Sequence, residues 1–411
     1  MTHWALLLHF YQPPTQTHEI LHKVADESYR PLLKVLAQHS NARVAVNIQG
    51  VLTDLLLQHG LGDIVTSLRV LAEKGQVEFV GSGKYHPILP LIPEAARRRS
   101  VAENSRTNSA AFWATWKPCG FFPPEMCFSP EIAPAIRAAG YEWFIMSGVG
   151  CPVEWPIDRI HRVNAGDAEL AVLFRDDVRS NRISFRETTP QEFVDDLSSV
   201  GGHNDAYVVT AMDAETFGHH ISGWERKFLG ATFELLRHQH RRGANRVQMA
   251  LPSQLIDHFP AGETVVPHAS SWSTNNQDLA EHNPFPLWSA PGNRLHALQW
   301  EYVDHCQDLL ATAKRHASTP EAKKFAAIAA EKLEPGLHSC QFWWASRRPM
   351  WDVTMIHRGL LLLNEVVVNA ARAIAFGSAS ERTKQEARWR AAAANDTRED
   401  IERALIGDAA P

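Results

Sequence analysis

Short apolar runs alternate with longer stretches of helical spacing from the N-terminus to about residue 250. The runs at residues 4–10, 43–48, 77–80, 120–122, 143–146, 170–174 and 206–212 are rich in Val, Leu, Ile, Phe and Trp and end at polar or turn residues, which predicts strands. Between them, residues 21–36, 52–71, 94–116, 130–139 and 191–200 repeat apolar positions every three or four residues, which predicts helices. Such alternation is the signature of a parallel α/β sheet. The residues that follow the strands are strongly polar: His9 and Gln12, Asn47 and Gln49, Lys84 and His86, Glu125, Arg175 and Asp176, Asp213 and Glu215. In parallel barrels, functional groups gather at the C-terminal strand ends, so the pattern suggests a seven-stranded (β/α) barrel, an incomplete relative of the eight-stranded form. A doubly wound open sheet is the alternative, but no GxGxxG follows the first strand.

The pattern changes after residue 260. Residues 261–294 are rich in Pro, Gly, Ser, Asn and His, as expected of loops that carry function or join domains. Beyond them, residues 295–317, 322–332, 337–346, 354–376 and 380–405 have helical spacing. The expected organisation is a catalytic domain over 1–260, a loop-rich connection over 261–294 that contributes to the cleft, and a helical bundle over 295–411.

Composition narrows the function. Of 411 residues, 45% are hydrophobic and 21% charged, enough for a sizeable core and too balanced for a disordered chain. With 41 basic and 46 acidic residues the net charge is -5, which offers no footprint for nucleic acid or an anionic membrane surface. The apolar N-terminus lacks a basic flank and a small-residue cleavage site and reads as a first strand, and no run approaches the roughly 20 apolar residues that span a bilayer. The five cysteines have no CxxC spacing, against both a disulfide framework and a cysteine-based zinc site. A protein of the reducing cytoplasm is expected, with no metal and no cofactor. The 13 Trp and 21 His are high for the length and ask for a site.

Two segments offer one. Gly120-Phe-Phe-Pro-Pro-Glu-Met126 sets Glu125 after a short strand and a rigid Pro-Pro turn, although a carboxylate there would equally serve as a helix-start charge. The segment 207–220 ends a β-branched strand at Asp213 and adds Glu215, His219 and His220 within seven residues. Crowding of titratable groups at one strand end drives carboxyl pKa values apart, whereas a simple helix cap needs one acid and neither histidine. Glu125 and Asp213 together form a carboxylate pair of the kind used in glycoside hydrolysis, and aromatic faces such as those of Trp272 and Trp288 in the loop-rich segment suit pyranose rings.

His9-Phe-Tyr-Gln-Pro13, Gly75-Gln-Val-Glu-Phe-Val-Gly-Ser-Gly83 with Tyr85-His-Pro87, residues 120–126 and Met212-Asp-Ala-Glu-Thr-Phe-Gly-His219 together resemble, in order and spacing, the motifs of glycoside hydrolase family 57. The resemblance extends over residues 1 to about 275. It implies a seven-stranded barrel followed by a helical domain and a retaining mechanism on α-glucosidic bonds of α-glucans such as starch, glycogen or maltooligosaccharides. It assigns Glu125 as nucleophile and Asp213 as general acid and base, with His9, Gln12, His86, Arg175, Glu215, His219 and Trp272 at the sugar subsites and Trp343 and Trp344 closing one side of the cleft. Tyr11 stands where the family commonly has His, and His86 where several relatives have Glu.

Two other readings use the same residue types. A metal-dependent carbohydrate deacetylase or mannosidase-like barrel would use the many His and Asp residues, but the first strand ends His9-Phe10-Tyr11 without the His-x-Asp pair of the mannosidases. A catalytically silent glucan-binding barrel would not need both carboxylates.

Overall fold

A computed structural model describes residues 1–243, 246–348 and 351–408. Among them are ten strands: β1 (Thr2–Phe10), β2 (Val44–Ile48), β3 (Val77–Val80), β4 (Gly120–Phe121), β5 (Trp143–Ser147), β6 (Ile160–Asn164), β7 (Glu169–Arg175), β8 (Ala206–Asp213), β9 (Val247–Met249) and β10 (Ala261–Thr264). Seven coincide with the apolar runs. The other three escape the pattern for visible reasons: β6 carries His161 and Arg162, β9 is three residues long, and β10 is mostly exposed.

The strands pair as two five-stranded sheets. In the first the order is β3-β2-β1-β8, with β9 added to β1, all parallel; in the second it is β10-β6-β7-β5-β4, parallel except for β6 with β7. The continuous seven-stranded barrel expected from the sequence is therefore not what the strand pairing gives. At one seam β4 is only two residues long and runs into Pro123 and Pro124, which have no N–H to extend a ladder. There the contact is a single parallel bridge, with Gly81 N–H donating to Gly120 O at 2.8 Å and Phe122 N–H to Gly81 O at 2.8 Å. At the other seam Asp176 caps helix Asp177–Ser184 immediately after β7, leaving one backbone bond, Asp176 N–H to Val209 O at 2.7 Å.

The core explains where polar groups emerge. Ala5 and Leu7 of β1, Ala45 of β2, Trp143 and Ile145 of β5, Ala171 and Leu173 of β7, and Val209 and Ala211 of β8 belong to one buried cluster. Side chains alternate along a strand with period two. The next residue in each of these rows is therefore His9, Asn47, Ser147, Arg175 or Asp213, so the polar strand ends continue the interior rows.

Helices surround these sheets. The predicted helix 21–36 is three pieces, His18–Val24, a π-helical turn Ala25–Tyr29 and Arg30–Gln38, and the predicted 52–71 helix is split into Gly50–Gln58 and Gly62–Glu73 by Gly60, at φ 76°. Asp177–Ser184, Ala231–Arg241 and Pro252–His258 are helices that the spacing did not predict.

The chain divides into two compact units, Met1–Lys84 with Leu89–Asn276, and Tyr85–Ile88 with Gln277–Pro411. The division falls inside the 261–294 segment and assigns residues 85–88 to the later unit. That unit contains helices Arg294–His316, Pro320–Gly336, Cys340–Trp343, Val353–Phe376 and Glu381–Asp408. Val353–Phe376 is long and apolar enough to cross a membrane by length and composition, contrary to the expectation that no run approaches that length. In this unit it packs against Arg294–His316 and Pro320–Gly336 and buries one face through Ile356, Leu360, Leu363, Val367 and Ile374. Trp288, expected in a functional loop, is fully buried, and its carbonyl accepts from Trp300 Nε1 at 2.9 Å.

Candidate active site

At the end of β4 the Pro-Pro turn delivers Glu125 in the left-handed region, at φ 57° and ψ 18°, with Met126 following at φ 50°. Two consecutive non-glycine residues in that region cost roughly 1–3 kcal/mol each and persist only where the surroundings enforce them. Trp272 does so from the loop after β10. Its backbone N–H donates to Glu125 O at 3.2 Å and its indole Nε1 to Glu125 Oε2 at 2.9 Å. The neighbouring bridge between Phe128 and Ser270 fixes the same two segments to each other.

His9 links this carboxylate to the second one. Its ring stacks on Phe122 with centroids 4.8 Å apart and meets Trp272 edge-on at 5.6 Å, while its backbone is the register partner of Asp213 on β8. His9 Nδ1 lies 2.7 Å from Asn47 Oδ1. A carbonyl oxygen can only accept, so Nδ1 carries the hydrogen and Nε2 is the acceptor nitrogen. Burial lowers the pKa of His9 to about 4, partly opposed by Asn47, so the ring is neutral at physiological pH. The network runs on across the strand ends: Gln49 Nε2 donates to Asn47 Oδ1 and to Ser82 Oγ, both at 3.0 Å, and Ser82 Oγ donates to Phe122 O at 2.8 Å.

Asp213 and Glu215 form the other half. Asp213 retains some solvent access but is closely surrounded by protein, and burial raises its pKa to about 6 against the opposing charge of Arg175. Glu215 is buried beside it, and desolvation, reinforced by the Asp213 charge, raises its pKa as well. The Tyr29 hydroxyl donates to Glu215 Oε1, as does Gln12 Nε2 at 3.0 Å. Tyr29 comes from the π-helical turn, which Ser28 Oγ ties to Ala214 O at 2.9 Å. Arg175, nearly fully buried, is held by Ala211 O (2.8 Å), Asp177 Oδ1 (2.6 Å) and Asn181 Oδ1 (3.0 Å). Asp177 and Asn181 also line an adjoining cleft of about 700 Å³ with Trp155 and Thr274.

Glu125, Asp213, His9, Gln12, Arg175, Glu215 and Trp272 are thus joined by hydrogen bonds, ring contacts or register within the first unit. His219, half-buried, pairs with Glu27 at 2.6 Å instead of with either candidate catalytic carboxylate. His86, Trp343 and Trp344 belong to the second unit. There His86 is buried with Nδ1 2.8 Å from Ser339 Oγ, and the two indoles, each half-buried, meet edge-to-face at 4.6 Å. Tyr29, Asn47 and Phe122 also belong to the candidate site, and no motif in the sequence marks them for it. Tyr29 has the spacing of a helical core aromatic, and nothing in its neighbours announces a π turn. Asn47 was legible as a polar strand end without a stated role.

Residues 7–267 match glycosyl hydrolase family 57. An α-amylase of Pyrococcus horikoshii is 28% identical over 316 residues, covering 74% of this chain and 46% of that protein. A 4-α-glucanotransferase of Thermococcus kodakarensis is 24% identical over 297 residues, covering 68% of this chain and 43% of its own length. The chain thus spans about half the length of the relatives it matches by sequence. Among solved structures, a GH57-type branching enzyme from Pyrococcus horikoshii is similar in fold, with a TM-score of 0.72 at 16% identity over 95% of this chain and 94% of that one. The family match covers well over half of the chain and includes the segments of both candidate catalytic carboxylates, and the chain belongs to glycosyl hydrolase family 57.

Proposed function

We propose that this protein cleaves α-glucosidic bonds of α-glucans by double displacement, with Glu125 as nucleophile and Asp213 as general acid and base, and transfers the glycosyl group to water or to a sugar hydroxyl. The observation that carries this reading is the junction at His9: Asp213 is its register partner, and Glu125 is bonded to the Trp272 ring that packs against it. Both links converge on His9, which supports reading the two carboxylates as one pair. In the same reading the parallel strands in the order β8-β1-β2-β3-β4-β5-β7 act as a seven-stranded barrel, its two seams bridged at Gly81 and Phe121 and at Asp176 and Val209.

The residues suit separate steps. A Glu125 carboxylate oriented by the indole N–H attacks the anomeric carbon as Asp213 gives its proton to the departing glycosidic oxygen. The C–O bond breaks and a glycosyl ester forms on Glu125. Asp213, now ionised, takes a proton from water or a sugar hydroxyl, whose oxygen attacks the anomeric carbon and releases Glu125. The raised pKa of Asp213 suits a group that must begin protonated. Neutral His9, with Nε2 as acceptor, and Glu215, oriented by Tyr29 and Gln12, suit recognition of sugar hydroxyls. Trp272 adds a partly exposed aromatic face for stacking.

Incubation with maltoheptaose followed by product analysis tests the proposal. Shorter sugars alone would indicate hydrolysis, and a ladder above seven units would indicate transfer. Either activity should fall with Glu125→Gln. Binding of maltoheptaose with no product of either kind contradicts it.

A further inference from the structure

We propose that His3, Asp205 and His258 form a binding site for a divalent metal of the zinc class, at the end of the first sheet opposite the carboxylate pair. His3 lies at the N-terminal end of β1, Asp205 immediately precedes β8, and His258 ends helix Pro252–His258. One ligand atom from each lies within 4.8 Å of the others. Asp205 Oδ2 is 3.1 Å from His258 Nε2 and 3.9 Å from His3 Nε2, and the imidazole centroids are 4.5 Å apart. Donors on a tetrahedral zinc ion, with bonds of about 2.0–2.2 Å, stand roughly 3.3 Å from one another, so the cluster closes on an ion with movements of about 1 Å.

A second observation points to a ligand. His3 is only 6% exposed, and its Nε2 is buried without a hydrogen-bond partner among the described residues. Leaving a buried ring nitrogen unpaired costs about 1–3 kcal/mol, and a bound metal would remove that cost. The opposite nitrogen, Nδ1, lies 2.9 Å from the amide nitrogen, Nε2, of Gln248. With the amide turned so that its oxygen faces Nδ1–H, Gln248 orients the ring and leaves the Nε2 lone pair for the metal, the arrangement that supports histidine ligands elsewhere.

Other groups at the site are compatible. The Met1 ammonium occupies Asp205 Oδ1 at 2.9 Å and leaves Oδ2 toward the histidines, while Phe259 walls one side at 5.4 Å from the His3 ring. Asp205 and His258 are exposed, giving an entry path and room for water as fourth ligand. Two imidazoles and one carboxylate favour zinc over magnesium or calcium, which prefer all-oxygen shells. Because the ligands join three distant segments at the end of the strands remote from Glu125 and Asp213, the ion would act on stability rather than turnover.

The test uses untagged full-length protein stripped with a chelator and titrated with Zn²⁺, reading stoichiometry by metal analysis after dialysis and the change in Tm. One equivalent should bind, with Tm raised by several degrees. Asp205→Asn and His258→Ala, both at exposed positions, should each weaken binding at least about tenfold while the metal-free Tm stays near that of the parent. Glu125→Gln should bind zinc like the parent, which separates this site from the proposed catalytic centre. Failure of the parent protein to retain one equivalent, or undiminished retention by Asp205→Asn and His258→Ala, would overturn the proposal.

Discussion

At the scale of single residues, the proposed chemistry needs two carboxylates kept in different environments. Replacing Glu125 by Gln or Asp213 by Asn should each reduce turnover at least about a thousandfold, since one removes the proposed nucleophile and the other the proposed proton donor. Steady-state kinetics at unchanged Tm is the check. Trp272→Phe keeps a ring beside His9 but loses the N–H to Glu125 Oε2, so kcat should fall on the order of tenfold to a hundredfold with a smaller change in KM. Equal kcat in the two proteins would remove Trp272 from the orientation of Glu125. Acidity gives a third outcome. In the proposed mechanism Asp213, raised to about 6, acts in its protonated form, so kcat/KM should decline as pH rises through about 6, a limb that Asp213 and Glu215 share because each charge opposes the other. For stability the sign follows from proton counting. Both groups hold protons in the folded chain that the unfolded chain has already released, so their contribution is fully present below about pH 4. It is lost as pH rises through the folded values. Glu215→Gln should therefore raise Tm at pH 8 by on the order of 1–3 °C and leave it unchanged near pH 4, as scanning calorimetry would detect.

At the scale of elements, the site depends on how the loop after β8 rests on the π-helical turn at residues 25–29. Gly218 sits at φ 122°, and a Cβ there would lie 1.9 Å from the backbone oxygen of Glu27. Backbone cannot swing aside as a long side chain does, so Gly218→Ala should cost about 2–4 kcal/mol in denaturant unfolding. It should also lower activity by displacing Tyr29 from Glu215. Unfolding energies equal to those of the parent would show that the loop and the turn are not locked together. The same elements show what a sequence reveals. Strands such as β1, buried on both faces, leave an unbroken apolar run, and the seven runs were legible for that reason. The interruption of helix 18–38 by a π turn depends on the docking of Ala214 and Gly218, residues nearly two hundred positions away, and leaves no local trace. β4 is legible as a strand, but the sequence shows its end only as a rigid Pro-Pro turn and not the opening of the sheet that follows from it.

For the whole molecule, most of the candidate site could be read because polar residues at strand ends extend the interior rows of the core. His9 follows Ala5 and Leu7, Arg175 follows Ala171 and Leu173, and Asp213 follows Val209 and Ala211. Motif order also drew attention to His86, yet four residues there, Tyr85–Ile88, fold with the second unit, where Pro87 bridges His338 and His86 meets Ser339. Position along the chain does not report such an exchange. Nor could spacing pair His219 with Glu27 in advance, since that contact is made by the docked π turn. The proposed chemistry can be tested at its covalent step. Treatment with 5-fluoro-α-D-glucosyl fluoride, which slows release of a glycosyl-enzyme, followed by proteolysis and mass spectrometry should give a single labelled peptide with the sugar esterified to Glu125. A label on another carboxylate, or turnover of maltoheptaose that yields the inverted anomer without any labelled enzyme, would contradict the account.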